Sequence, residues 1–99
     1  MKFIVAEKNM HQGAILTITD KEIIGKKFEE GKKQLDLANK FYSGEEKDTE
    51  YIKVRLEDAY VMHLTGKKAV AFGIKMGLVD KKRIITISGI PHAEVLIER

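Results

Sequence analysis

The chain has 99 residues, with 18 Lys or Arg against 15 Asp or Glu, a formal net charge of +3, 43% hydrophobic residues and no cysteine. That length makes one domain, residues 1–99, with enough apolar content for a core that needs no cross-links. The composition excludes a disulfide framework and a thiolate metal site. No apolar run approaches the roughly 18 residues of a membrane span, and MKFIVAEKN turns charged too early for a secretory signal, so a cytoplasmic protein is expected.

Lysine dominates the cations, and the Lys- and Glu-rich, Cys-free composition fits a thermophilic protein. A net charge of +3 is only a mild bias towards polyanions, so the distribution of charge matters more than its total.

Taken in order, residues 2–7 (KFIVAE) and 14–19 (AILTIT) are β-rich. Phe3 and Val5 share one face of the first, and Leu16 and Ile18 share one face of the second. The intervening KNMHQG reads as a hairpin loop. DKEIIGKKFEEGKK is ambiguous. Asp20 can cap a short helix, but Gly25 and Gly31 would each cost a helix interior about 1 kcal/mol, which favours a single turn. QLDLAN, residues 34–39, alternates with Leu35 and Leu37 inward and predicts a third strand. KFYSGEEKD reads as a loop.

Beyond it, Ile52, Leu56, Ala59, Tyr60 and His63 recur at helical spacing. They predict a helix capped by Asp48 or Thr49, running to about Leu64 and ended by Gly66. A second helix begins near Lys67, with Ala69, Val70, Gly73 and Ile74 on its apolar face and Gly77 at its close. Gly73 in mid-helix marks close packing against the sheet or the first helix. RIITIS (83–88) and AEVLIE (93–98) are the last strands, with Ala93, Val95 and Ile97 on one face and Glu94 and Glu98 on the other. Pro91, the only proline, is expected at the second position of a turn between them, with His92 third, near the bridge region of backbone space. The fold class is α+β: a mostly antiparallel sheet of four to five strands (N-terminal hairpin, third strand, C-terminal hairpin) packed on two consecutive helices.

Two segments carry charge in a pattern worth testing. In TGKKAV, Lys67 and Lys68 fall in the first turn of a helix, the end where positive charge is mildly unfavourable. Either an anion docks there on the free amides and both ammoniums, or the lysines simply face water. The segment lacks the glycine and hydroxyl spacing of a phosphate-binding P-loop. Lys81, Lys82 and Arg83 form a second cluster, and Lys26–Lys27 and Lys32–Lys33 complete four. If two or more share a face, they make the footprint of a nucleic-acid binder; the interleaved acidic pairs at 29–30, 45–46 and 57–58 favour a solvated surface instead. The histidines, His11, His63 and His92, show no spacing that brings them together for a metal, and no partner for His92 as an acid or base is identifiable. No cofactor motif is present. Phe41 and Tyr42 could stack a base or anchor their loop into the core, and no RNA-stacking aromatic signature appears.

The succession EIIGKKFEEGKKQLDL, FYSGE, GKKAVAFGIKMGLVD and ISGIPHAEV resembles the archaeal domain of unknown function 424 family over almost the whole chain. IGKKFEEG and GIPHA are its most specific parts. The resemblance implies a small α+β domain and singles out Gly89, Pro91 and His92 without assigning them chemistry. It supplies no activity, catalytic residue or ligand. A link to RNA or to translation is the expectation attached to such small archaeal proteins.

Three functions follow as expectations. The first is a non-catalytic binding module for RNA, ribosome-associated proteins or another phosphate-rich partner, through Lys67, Lys68, Lys81, Lys82 and Arg83. The second is a small enzyme on an anionic metabolite, with His92 as acid or base; it requires one concave pocket holding both the SGIPH segment and the start of the second helix. The third is a protein–protein adaptor, which would expose a large apolar patch.

Overall fold

The computed structural model describes residues 1–97. Eight strands and two helices follow one another: β1 (Lys2–Met10), β2 (Gly13–Thr19), β3 (Lys27–Glu30), β4 (Lys33–Asp36), β5 (Glu45–Asp48), α1 (Thr49–Arg55), β6 (Ala59–Thr65), α2 (Lys67–Lys75), β7 (Ile85–Ile87) and β8 (Ile90–Leu96). Six strands form one sheet in the order β5-β1-β2-β6-β8-β7, and β3 and β4 form a separate hairpin. The α+β class is as expected. The sheet is larger than expected and mixed, because β2 and β6 run parallel, Thr17 beside His63 and Thr19 beside Thr65.

The N-terminal hairpin forms as predicted, with Val5 opposite Ile18. Phe3, Val5, Leu16 and Ile18 all enter the core under the helices, together with Ile52, Met62, Leu64, Val70 and Phe72. A smaller second core holds Leu35, Leu37 and Ile87 on the other side of the sheet, under the β3–β4 hairpin. Leu35 is inward as predicted, but β4 ends at Asp36 and pairs only with β3, so it is no strand of the main sheet. Edge strand β5 lies where a loop was expected; its highly charged EEKD run pairs with β1 at residues 2–5.

The long helix expected over residues 48–64 is the main correction. Asp48 does cap α1, its carboxylate accepting from Tyr51 N at 2.9 Å. The helix stops at Arg55, and residues 59–65 form the central strand β6. Covered on both faces, β6 has near-continuous apolar burial, and such a run carries no period that distinguishes strand from helix. Gly66 therefore does not end a helix. It links β6 to α2.

The turn of the last hairpin also falls elsewhere. Ser88 (φ 50°) and Gly89 (φ 79°) are its two central residues, closed by the pair Ile87 and Ile90. Positive φ at both is the geometry that matches strand twist in a two-residue hairpin. Ser88 is held there by the β3–β4 hairpin: its N–H donates to Glu30 Oε1 at 2.7 Å and its hydroxyl to the Glu29 carbonyl at 2.6 Å. Pro91 and His92 lie within β8. Pro91 turns its carbonyl towards the β6 side, where Gly66 N donates to it at 2.9 Å. A strand residue points N and C=O the same way, so the missing N–H would face the end of β6 and costs the β7 ladder nothing. Glu98, the last residue of the expected strand, lies outside the described residues.

Candidate functional site

Lys67 and Lys68 open α2, where the sequence left room for an external anion. The structure puts an internal one there. Asp20 follows β2, and its carboxylate accepts from Lys68 N at 3.0 Å and Ala69 N at 2.8 Å. Gly66 O accepts from Val70 N at 3.0 Å. Parallel pairing of β2 with β6 causes this arrangement. It brings the ends of the two strands side by side, and Asp20 N donates to the Thr65 carbonyl at 3.0 Å. The Lys68 ammonium binds Glu22 at 2.9 Å, and this hydrogen bond raises the pKa of Lys68 from its ordinary value. The amides of Lys68, Ala69 and Val70 are thus taken, and an outside anion finds mainly ammonium groups at this helix end.

Those ammonium groups belong to a groove of about 440 Å³ between α1 and α2. Ala71, Phe72 and Met76 contribute its floor, and Lys53, Lys67, Lys68 and Lys75 its charge. The helical period explains the grouping. Lys67, Ala71 and Lys75 make one stripe of α2, and Lys68, Phe72 and Met76 the next. Lys53 and Lys75 join the two predicted lysines here. Neither stands in a basic pair, so neither carries a cluster signal in the sequence; the period of α2 is the available clue for Lys75.

Lys81, Lys82 and Arg83 occupy a 3₁₀ turn after α2, with Asp80 accepting from Lys82 N at 3.0 Å. They do not line the α1–α2 groove. Arg83 lines a different one, with Asp80 and Glu94 among its neighbours. Lys27 and Lys33 lie on the separate β3–β4 hairpin, where Lys27 pairs with Glu29 at 3.3 Å. The four basic clusters thus divide among three different elements.

The histidines are a correction of a different kind. His63 is in β6 and His92 in β8, and their rings lie 5.8 Å apart. They share the sheet face opposite the helices with Thr17, Thr19, Thr65 and Glu94, set by the pairings Thr65–His92 and His63–Glu94. Thr65 Oγ1 and His92 Nδ1 are 2.8 Å apart. Phe41 stands edge-on to His63 at 5.0 Å, and its carbonyl accepts from Thr17 Oγ1 at 3.5 Å. Thr19 Oγ1 is buried without a hydrogen-bond partner among the described residues. Burial pushes both imidazoles below the ordinary histidine value; the neighbouring His63 adds to the shift of His92, and Glu94 opposes it in both.

This row resembles a hydroxyl–imidazole dyad, yet Thr65 has no exposed surface. A nucleophile must reach its electrophile, and this one is sealed. Among the described residues no group of three or more His, Asp or Glu side chains could hold a metal. The SGIPH segment and the start of α2 do touch, through Gly66 and Pro91. Their side chains part company, since the groove lined by Lys67 and Lys68 includes no residue of 88–92. The shared concave pocket required of the enzyme is not formed there. No helix among the described residues is long and apolar enough to cross a membrane.

No curated protein matches the chain. The crystal structure of an uncharacterized conserved protein from Methanopyrus kandleri is similar in fold, with a TM-score of 0.79 at 16% identity, covering 100% of this chain and 96% of that one. The family model described as Protein of unknown function (DUF424) matches residues 8–97, and the chain belongs to that family.

Proposed function

We propose that the protein is a non-catalytic binding module for RNA, engaged through α2 and the basic turn that follows it. One observation carries the reading. Residues 67–83 hold six cations (Lys67, Lys68, Lys75, Lys81, Lys82 and Arg83) against one acid, Asp80, a net +5; the whole chain is only +3, so the remainder is −2. Lys67, Lys68 and Lys75 gather with Lys53 at one groove, and charge so gathered creates a local field that attracts a polyanion although the total is small. Of the six, only Lys68 has a carboxylate partner among the described residues. The backbone phosphates of RNA offer such a surface repeated anions at close spacing. A role beside the translation machinery fits the same chemistry.

The test is binding of a fluorescent RNA at low salt to the protein and to Lys67→Glu/Lys68→Glu. The reading expects measurable affinity that falls at least about tenfold on charge reversal, as loss of several phosphate contacts requires. Reversal of Lys26 and Lys27 on the separate hairpin should change it little. Undetectable binding, or binding indifferent to Lys67 and Lys68, contradicts the proposal.

A further inference from the structure

The α1–α2 groove combines two properties that a purely phosphate-binding surface does not need. Its floor is apolar, with exposed Ala71 beside buried Phe72 and partly buried Met76. Its ammoniums stand at both ends of that floor. Lys67 and Lys75 are eight residues apart on one stripe, about 12 Å along the helix. A volume of about 440 Å³ is within the range of sites that enclose small ligands. Lys67 and Lys75 have no carboxylate partner among the described residues. Lys53 and Lys68 have exposed ones, Glu50 at 3.5 Å and Glu22 at 2.9 Å. Such exposed pairs are weak and readily exchanged for a phosphate.

The order along the groove is cation, apolar surface, cation. A single nucleic-acid strand offers the complement, an exposed base face beside a backbone phosphate on either side of its sugar. A duplex does not, because its base faces are buried in the stack and only phosphates and groove edges are on offer. We propose that this groove seats an unpaired nucleotide of single-stranded RNA, its base on Ala71, Phe72 and Met76 and its flanking phosphates on Lys67 and Lys75. The inference rests on the RNA-binding reading and specifies the form of RNA. The Lys68 and Ala69 amides take no part, since Asp20 holds them.

The experiment titrates an unstructured single-stranded RNA and a duplex of equal length at low salt against the wild type, Ala71→Gln, Ala71→Glu and Lys67→Glu/Lys75→Glu. Seating one base on this largely aliphatic floor should favour the single strand by about fivefold, the low end of the range for stacked bases. Ala71→Gln obstructs the floor without changing charge, so it should remove most of that preference by weakening the single strand more than the duplex. Ala71 is exposed, so circular dichroism should show both Ala71 variants folded. Equal affinity for both RNAs, or an effect of Glu without an effect of Gln, overturns base seating. If both RNAs still bind and the lysine reversal weakens both, the basic-surface reading survives that failure. If neither RNA binds, both readings fall. Displacement of the single strand by an acidic amphipathic peptide that binds more tightly at matched charge would assign the groove to a protein partner and overturn the inference.

Discussion

The Asp20 carboxylate and the Ala69 amide, 49 residues apart in sequence, are joined by a buried 2.8 Å hydrogen bond that fixes the start of α2 to the end of β2. Asp20 accepts a second from Lys68 N, so it satisfies two donors that a helix start leaves open. Its charge also offsets the positive end of the helix and the two lysines beside it. Asp20→Ala is expected to cost about 1–3 kcal/mol, the range for a lost cap whose donors stay buried. Urea denaturation measures it. Inorganic phosphate should stabilise the Asp20→Ala variant more than the wild type, because the variant frees the Lys68 and Ala69 amides at the helix start.

Gly66 belongs to the same relationship. Its φ is 109°, and a Cβ there would collide with the Asp20 carboxylate. Gly66→Ala should therefore destabilise by at least about 1–3 kcal/mol, through backbone strain and a displaced cap together. A thermal midpoint indistinguishable from the wild type would contradict the described packing.

Gly73 makes a separate prediction. A Cβ at this position would lie 2.5 Å from Leu64 Cδ1 and 2.6 Å from Val79 Cγ2. Alanine normally favours a helix interior over glycine by about 1 kcal/mol. Here overpacking of about 1–3 kcal/mol opposes that gain, so Gly73→Ala should be destabilising. An increase in stability would show that Leu64 and Val79 yield freely.

The pH dependence follows from His63 and His92. Both have folded pKa values below the ordinary histidine value, for burial first, so the unfolded chain binds protons that the folded one refuses. Their contribution to stability is complete above the unfolded value of about 6.5 and is lost as pH falls through the lower folded values. The thermal midpoint should drop between pH 7 and pH 5. His92→Gln should flatten that dependence, and an unchanged slope in this variant would remove His92 from the account.

The sequence disclosed local features well. The N-terminal hairpin, the Asp48 cap, the span of α2 and the tight environment of Gly73 all depend on residues close in the chain or on a clear period. It failed where the decisive partner is remote. The span of residues 59–64 read as helix because a strand buried on both faces has no alternation to show. That one misreading placed His63 on a helix and concealed its approach to His92. Only the parallel β2–β6 pairing brings Asp20 to Lys68, and no local pattern announces it. The charge of residues 67–83 was plain in the sequence, but the groove that collects Lys53 and Lys75 needed the packing of α1 beside α2.

The central claim is that the lysines of α2 bind RNA through its phosphates. Its most direct test is the dependence of log affinity for a single-stranded RNA on log salt concentration. One phosphate each on Lys53, Lys67, Lys68 and Lys75 of the groove and on Lys81, Lys82 and Arg83 of the following turn gives a slope of about −5, and Lys67→Glu/Lys75→Glu should reduce it to about −3.5. A wild-type slope near zero, or a slope unchanged by the double reversal, would contradict the account.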